Sequence, residues 1–359
     1  MRLKSLISPK FAAKAFIALV ASIGCFSCNS VIDDSTDHPC GLAVRFVYDY
    51  NMEYANSFPK KVDCVKLLVF KKDGEAYKYV TTLDESSDAL KSEDYRMRVE
   101  LLERGEYRLI AYGGLACDKK SFDLYPFEKR SDSESITDKD LAVEMHYAKD
   151  TGVQDKALHN LYFGTVDVAM DNYDYQEKTV YMMKDTNNFR VILQQIDGEV
   201  ISDKQFDCYI TDDNSYLDYK NDVVPTRTIT YKPWAQGQEF IDDATWEDQF
   251  NDQLGPVTAA YYELSTSRLI WDDSDAQGAN SAARLVIKNN ETGKDVINNP
   301  LIKYLMLYRS QLFADMPEQE FLDRESEWTM AFFLDANNRW VNVYIIVNDW
   351  VVRLNSAEL

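Results

Sequence analysis

Two cysteines near the start of the chain, Cys25 and Cys28, are placed where a lipid could be attached. Lipoprotein processing requires small residues just before a cysteine, whose thiol then receives a diacylglycerol. A small residue precedes each cysteine, Gly24 in one case and Ser27 in the other. The polar part of the chain begins at Cys28, so Cys28 is predicted to carry the lipid, with palmitate among its acyl chains, and Cys25 is the alternative. In a third interpretation both cysteines belong to an ordinary signal peptide and the protein is secreted without lipid.

The first 27 residues are predicted to be a lipoprotein signal peptide. They combine four basic residues with a short apolar run over residues 15–23. As a helix this run would extend about 14 Å, far less than the roughly 30 Å of a bilayer core, so it is too short to cross a membrane. No later stretch is both uncharged and long enough to span. The sequence therefore predicts a body tethered to a membrane, or free outside it.

Residues 28–39 form an acidic segment that contains Asp33, Asp34 and Asp37. A short polar stretch of this composition is predicted to be a disordered tether. It also resembles the surface-export signal of Bacteroidetes lipoproteins, in which Asp33 and Asp34 would direct the protein to the outer face of the cell outer membrane. The two interpretations are compatible.

The charge of the chain argues against one class of partner. It contains 39 basic and 60 acidic residues, for a net charge of −21, and its first 27 residues contain no acidic residue. Nucleic-acid binding requires basic surfaces that neutralise phosphates. We therefore expect no nucleic-acid partner.

Sequence motifs for catalysis or for a resident cofactor are absent. There is no Gly-x-Ser-x-Gly elbow, no phosphate-binding loop and no His-Glu-x-x-His. The segment that begins at Asp273 partly imitates a calcium loop, but Arg284 stands where a bidentate glutamate is required. The three histidines, His38, His146 and His159, are too scattered to predict a metal site. We expect a protein that is not an enzyme and binds no cofactor or metal.

Four further cysteines could form disulfides outside the cell: Cys40, Cys64, Cys117 and Cys208. Four cysteines allow three pairings, and their spacing does not choose among them. The expectation is that Cys40 pairs with Cys64 or with Cys117, because all three lie in the first half. Buried free thiols are the alternative.

Hydrophobic alternation predicts β-strands through most of the chain after residue 40. Residues 42–48 place apolar side chains on one face, whereas residues 62–70 are apolar more continuously, as in a strand buried on both sides. An Asp73-Gly74 pair between two such runs predicts a hairpin. Residues 118–160 are weakly patterned and are predicted to be mainly long loops. Many short strands without intervening helices are typical of antiparallel sandwiches.

Two short helices and a strongly β-prone ending are predicted in the second half. One helix is indicated by apolar residues at helical spacing, and the other by a proline at its start, Pro317. The apolar residues of the first are Leu301, Tyr304, Leu305 and Tyr308. Residues 340–353 have the strongest β-strand composition in the sequence.

Several segments resemble the FimB/Mfa-like fimbrial anchor lipoproteins of the Bacteroidales, which are minor subunits of type V pili. The stretch Cys40-Gly-Leu-Ala-Val-Arg-Phe-Val-Tyr-Asp-Tyr resembles the opening of these proteins, as do the lead-in at Cys28 and the Tyr112-Gly-Gly-Leu motif. The segment that starts near Asn187 and the Trp350-Val-Val-Arg ending resemble their second domain. The resemblance covers essentially the whole mature chain.

This resemblance implies an all-β fold with two tandem antiparallel β-sandwich domains of the transthyretin-like type. The predicted organisation is a signal peptide over residues 1–27, a tether over 28–39, an N-terminal sandwich over 40–187 and a C-terminal sandwich over 188–359. The resemblance also implies a non-enzymatic cell-surface lipoprotein that anchors the base of a fimbria in the outer membrane. Its partner would be the fimbrial shaft subunit, a fimbrillin, bound by β-strand exchange.

Strand exchange requires a strand that can pair with a partner through its main chain. The C-terminal stretch suits this role, and the partner-strand candidates in it are Trp340, Val343, Ile345, Val347 and Trp350. The same stretch could equally be the normal closing strand of its own domain. Because shaft subunits of this family are thought to be opened by proteolysis at an arginine, an anchor is expected to keep its own first strand, residues 42–48.

Two other functions stay open on the sequence alone. A surface glycan-binding lipoprotein would present a solvent-facing aromatic platform at one edge of a sandwich. An accessory or tip adhesin of the same pilus system would carry an additional or divergent binding domain, for which the chain has little room.

Overall fold

The computed structural model describes residues 41–100, 103–127, 135–171, 174–241, 257–275, 281–347 and 350–355. Within these ranges the chain contains 22 β-strands, three α-helices and four turns of 3₁₀ helix. The all-β fold predicted from the alternation pattern is therefore confirmed. Residues from 41 onward form one compact unit.

Eleven strands and one helix precede residue 186. The strands are β1 Leu42–Val47, β2 Val65–Asp73, β3 Ala76–Glu85, β4 Met97–Val99, β5 Gly105–Gly113, β6 Phe122–Tyr125, β7 Ala142–Met145, β8 Val153–Gln154, β9 Tyr162–Met170, β10 Gln176–Tyr181 and β11 Met183–Lys184. The helix is α1, Phe58–Lys61.

Eleven strands and two helices follow. The strands are β12 Thr186–Gln195, β13 Phe206–Asp212, β14 Tyr216–Asp218, β15 Ile229–Tyr231, β16 Ala235–Ile241, β17 Val257–Ser267, β18 Arg284–Asn289, β19 Asp295–Pro300, β20 Glu327–Leu334, β21 Trp340–Val347 and β22 Trp350–Asn355. The helices are α2, Leu301–Leu312, and α3, Glu318–Arg324.

The described strands pair into five sheets. Their strand orders are β10-β1-β4, β11-β9-β5-β2-β3, β14-β7-β6, β19-β18-β13-β15-β8 and β16-β17-β12-β20-β21-β22. Most neighbours are antiparallel, and the parallel pairs are β1 with β10, β12 with β20 and β8 with β15. The sheet of β7 and the sheet of β8 each combine strands from both sides of residue 187. The domain boundary near that residue stays a prediction.

Strand β2, which lies inside one of the two five-stranded sheets, is buried on both faces. Val65, Leu67 and Val69 face a core shared with the three-stranded sheet of β1. Leu68 and Phe70 face the larger core, which extends into the second half of the chain. Both faces of β2 are therefore apolar, which explains its unbroken run of hydrophobic residues and confirms that prediction.

The local signals in the sequence correctly located one hairpin and both helices. Strands β2 and β3 form an antiparallel hairpin whose turn contains Gly74 at a φ of +66°. The four apolar residues predicted to face inward from α2 are all buried: Leu301, Tyr304, Leu305 and Tyr308. Helix α3 begins directly after Pro317, as predicted.

The prediction of mainly loops over residues 118–160 was wrong in part. Strands β6, β7 and β8 lie in this segment, and β7 pairs with β14 while β8 pairs with β15. These strands have two to four residues, too short for an alternation pattern, and their partners are distant in the sequence. Local sequence could not reveal them for this reason.

A disulfide fixes the junction between β2 and β5. It joins Cys64, directly before β2, to Cys117, shortly after β5, with their Cα atoms 5.5 Å apart. The expectation that Cys40 pairs with one of these two was therefore wrong, because the antiparallel pairing of β2 with β5 brings Cys64 and Cys117 together. Cys40 lies outside the described residues, and Cys208 is a buried free thiol.

The glycine pair after Tyr112 is required by a close approach of two chain segments. Gly114 has a φ of +94°, and a Cβ atom there would lie 2.0 Å from the main-chain oxygen of Asn160. The Gly114 N–H donates to the carbonyl of Cys64 at 3.0 Å. Any other residue would push the 160 segment away from the disulfide.

Candidate functional site

The C-terminal strands form the outer part of a six-stranded sheet. Strand β21 pairs with β20 on one side and with β22 on the other, so its main chain is occupied by its own domain. Strand β22 is the last strand of the sheet, and β16 is the other edge. Four of the five predicted partner-strand residues lie on the interior strand β21, and Trp350 begins the edge strand β22. A partner that adds a strand at this end of the sheet would pair with β22.

Trp340, the first of these residues, packs into its own domain. Its ring centroid lies 6.1 Å from that of Tyr304 on α2 and 6.2 Å from that of Phe332 on β20. These contacts place the start of β21 against the larger core. The side chains of Val343, Ile345, Val347 and Trp350 lie outside the described part of the structure.

The first strand is held on both sides. β1 pairs in parallel with β10 and antiparallel with β4, and Leu42, Val44 and Phe46 are buried in the core beneath it. The strand therefore occupies a central position in its sheet. This is the arrangement expected of a subunit that keeps its own first strand.

The segment after β1 is fastened by hydrogen bonds from a buried asparagine. Asn51 is 8% exposed, and its side-chain amide donates to the carbonyls of Tyr48 and Ala55 at 3.0 and 2.9 Å. Its side-chain oxygen accepts from the N–H of Glu53 at 3.0 Å. One side chain thus stabilises the whole turn that follows the strand.

Arg324, the last residue of α3, holds the same segment from outside. Its guanidinium lies 4.1 Å from the ring centroid of Tyr50 and 4.4 Å from that of Tyr54. The same group donates to the carbonyls of Asp49 and Asn51 at 3.4 and 3.3 Å. These contacts connect the turn after β1 to the second half of the chain.

A buried group of charged residues lies near the end of β11. Asp185 is fully buried and accepts a hydrogen bond of 2.7 Å from the side chain of Asn221. Burial raises the pKa of Asp185 to about 7, although nearby Arg268 favours the charged form. The neighbouring Lys184 donates to Ser326 and Glu327 at 3.0 and 2.9 Å, and burial lowers its pKa. These groups connect strands of the two halves.

Sequence reasoning did not identify Arg324 or Asp185. Each stands between polar or charged neighbours in the sequence, so no local pattern marks it as a contact residue. Their partners are Tyr50 and Asn221 respectively, and neither pairing follows from local spacing.

His146 and His159, which are too far apart in the sequence to predict a common site, line one cavity. Lys119, Lys120 and Lys156 line the same cavity. His159 additionally approaches the disulfide, with Nε2 3.2 Å from the Sγ of Cys117. Among the described residues, the group of three possible metal ligands is Cys64, Cys117 and His159. Two of them are joined to each other, so they are not available as thiolates.

The predicted lipidation and export residues lie outside the described residues. These are Cys25, Cys28, Asp33 and Asp34. In the part of the chain that is described, no helix has the length and hydrophobicity to cross a bilayer.

The chain matches one protein family and several solved structures. The profile of the family described as fimbrillin-A associated anchor proteins Mfa1 and Mfa2 matches residues 34–356. A proposed adhesin from Bacteroides thetaiotaomicron is 44% identical, with a TM-score of 0.75, and the match covers 90% of this chain and 100% of that one. No curated protein sequence matches.

Two more distant structures share the fold. A proposed polysaccharide-binding protein of B. thetaiotaomicron is 27% identical, with a TM-score of 0.71, over 89% of this chain and 100% of that one. The fimbrial anchor protein Mfa2 of Porphyromonas gingivalis is 14% identical, with a TM-score of 0.59, over 87% of this chain and 98% of that one. At that identity the likeness to Mfa2 shows the fold alone.

Proposed function

The chain belongs to the family of fimbrillin-A associated anchor proteins, and from this premise we propose that it anchors the base of a fimbria at the cell surface. The observation that carries the proposal is the position of β1, which is paired on both sides and buried beneath. A subunit with its first strand in place offers no vacant groove for the strand of a further subunit there. Such a subunit can end a fimbria but cannot extend it in both directions.

Attachment to the membrane is proposed to occur through lipid on Cys28, with Cys25 as the alternative. A cysteine that carries three acyl chains has more than the two anchoring signals that stable membrane attachment requires, because each buried CH₂ contributes about 0.8 kcal/mol. The acidic residues Asp33 and Asp34 would direct the lipoprotein to the outer face of the outer membrane. The protein would act as a binding subunit and not as an enzyme.

The shaft subunit, a fimbrillin, is proposed to pair with the edge strand β22. Strand addition needs a row of unpaired main-chain groups, and among the strands that the structure describes β22 pairs with β21 alone. Strand β21 cannot serve in this way while its hairpin is intact. In this proposal the two C-terminal strands have different roles. Strand β21 completes its own sheet, and β22 pairs with the partner.

The anchoring proposal is tested with lipidation variants in the fimbriated organism. Cys28→Ala should release fimbriae into the medium, whereas Cys25→Ala should leave them on the cell. Fimbriae in the cell-bound and medium fractions are measured by immunoblotting of the shaft subunit. Retention of cell-bound fimbriae in both variants, and in the double variant, would exclude lipid anchoring through either cysteine.

The pairing proposal is tested with a matched pair of proline substitutions in β22, Val351→Pro and Val352→Pro. Along an antiparallel strand, successive N–H groups point alternately toward the neighbouring strand and away from it. One substitution therefore removes a hydrogen bond to β21 and lowers the melting temperature, while the other removes only an outward N–H. The variant that keeps the wild-type melting temperature should lose binding to purified shaft subunit. Normal binding by that variant would exclude β22 as the contact.

A further inference from the structure

A cavity of about 910 Å³ lies between two segments of the first half, residues 119–121 and 146–159. Its volume is near the upper end of the range typical of small-molecule sites. It is separate from β22 and from the segment held by Arg324. The anchoring function proposed above makes no use of it.

The walls of the cavity are fixed by hydrogen bonds and by the disulfide. The main-chain N–H of His146 donates to the carbonyl of Ser121 at 2.8 Å. The main-chain N–H of His159 donates to the Ser121 hydroxyl, also at 2.8 Å. The disulfide at Cys117 holds the chain just before Lys119. A preformed site of this kind loses little conformational entropy when a ligand binds.

The charge of the lining is opposite to that of the protein. Three lysines and one aspartate line the cavity, in a chain with a net charge of −21: Lys119, Lys120, Lys156 and Asp155. Asp123, which is not part of the lining, forms an ion pair with Lys120 at 3.5 Å and lies 2.9 Å from Nε2 of His146. The other two lysines, Lys119 and Lys156, favour a ligand that carries negative charge.

The remaining lining combines hydrogen-bonding groups with apolar surface. Ser121, Thr151 and Gln154 supply polar atoms, and Tyr147, Val153 and Leu158 supply apolar and aromatic surface. A sugar ring presents both hydroxyl groups and an apolar C–H face, so it complements such a lining.

A peptide strand is a poorer fit to the same place. Val153 lies on the outer strand β8 of its sheet, but it already pairs with Thr230 of β15 on one side and bridges Ala148 on the other. The N–H of Ala148 donates to the carbonyl of Val153 at 2.8 Å. The sheet edge that borders the cavity is thus covered, and strand addition there is blocked.

We propose that this cavity binds an acidic oligosaccharide, with Lys119 and Lys156 contacting its carboxylates. Such a site would let the protein hold a charged glycan while β22 holds the shaft subunit. The proposal does not depend on the fimbrial function.

Isothermal titration calorimetry of the full purified protein tests it with two probes, trigalacturonate and sialyllactose. Each has a neutral counterpart of similar shape, the methyl ester of trigalacturonate and lactose. At least one acidic probe should bind with a Kd below about 1 mM, and its neutral counterpart should bind at least about tenfold more weakly. Binding should weaken as sodium chloride is raised, because the contacts are ionic.

Paired variants locate the site. The Lys119→Gln/Lys156→Gln double variant should weaken binding at least about tenfold, the equivalent of one charge-assisted contact. A control with the same change of charge, Lys60→Gln/Lys294→Gln, alters two exposed lysines outside the cavity lining and should bind as the wild type does. The proposal is overturned if neither acidic probe binds, if the neutral counterpart binds equally well, or if both double variants lose binding equally.

Discussion

Arg268 and Asp323 form a buried ion pair through two parallel hydrogen bonds of 2.9 Å, from Nε and from one terminal nitrogen of the guanidinium. Their side chains are 12% and 6% exposed. The same guanidinium donates to the main-chain carbonyl of Asn221, whose side chain holds Asp185. Arg268 therefore pairs directly with Asp323 and is connected through Asn221 to the buried Asp185, at the place where strands of both halves meet.

Arg268→Ala is expected to lower the free energy of unfolding by about 3–5 kcal/mol, because Asp323 would stay buried without its positive partner. Urea denaturation measures the loss. Lys66→Ala is the control, since it breaks the partly exposed pair with Asp84 and should cost at most about 1 kcal/mol. Equal losses of unfolding free energy in the two variants would show that the buried pair stabilises the protein no more than the exposed pair does.

The raised pKa of Asp185 predicts how stability depends on pH. The folded protein keeps the Asp185 proton up to a pH of about 7, whereas the unfolded chain releases it near its ordinary value of 3.8. Between these values the folded state binds more protons, so the contribution of this group to stability falls as pH rises from about 4 to about 7. Asp185→Asn should remove the contribution of this group to the fall in stability between pH about 4 and about 7. It should also be more stable than the wild type at pH 8.

Asp212 supplies a second, independent test of the same argument. Burial raises its pKa to about 7, and its carboxylate accepts a hydrogen bond of 2.8 Å from the N–H of Asp213. Asp212→Asn should therefore flatten the same pH range, and the double variant with Asp185→Asn should flatten it further. A wild-type profile in the double variant would contradict both assignments.

Sequence patterns predicted those elements whose cause is local. The two apolar faces of β2, the turn at Gly74 and the inward face of α2 all follow from residues within a few positions of one another. Strands β6, β7 and β8 were missed because their short pairings depend on partners far along the chain.

The candidate sites show the same limit. The prediction of a lipid-accepting cysteine rests on its sequence neighbours, and that of a β-prone ending rests on local composition. Which of β21 and β22 lies at the sheet edge depends on the order of six strands, which no local pattern contains. The pairing of Cys64 with Cys117 depends likewise on the alignment of β2 with β5.

The disulfide is expected to stabilise the sheet that contains β2 and β5. Its two cysteines are 53 residues apart, so reduction frees a long loop in the unfolded chain, and Cys64→Ala/Cys117→Ala should cost about 2–4 kcal/mol. A reductant should lower the melting temperature of the wild type but not that of the double variant. Cys208→Ala, which removes a buried free thiol, should keep the response to reductant. An unchanged wild-type melting temperature after complete reduction would contradict this expectation.

The contact of Arg324 with Tyr50 and Tyr54 is expected to limit local opening next to β1. Arg324→Ala should raise hydrogen–deuterium exchange at amides of residues 49–56 while lowering global stability by only about 1–2 kcal/mol. Arg324→Lys keeps the charge but loses the planar stacking and the forked donors, so it should show an intermediate effect. Exchange confined to α3, with residues 49–56 unchanged, would show that the arginine does not hold the turn.

Variants of Trp340 test whether β21 packs within its own sheet or contacts the partner. Because its ring packs against Tyr304 and Phe332, Trp340→Ala should lower the free energy of unfolding by about 2–4 kcal/mol, whereas Trp340→Phe should lose less. At a temperature where both variants are folded, each should still bind the shaft subunit through β22 with wild-type affinity. Loss of binding by Trp340→Ala without a loss of stability would mean that this residue contacts the partner directly, and β21 would then have to leave its own sheet when the partner binds.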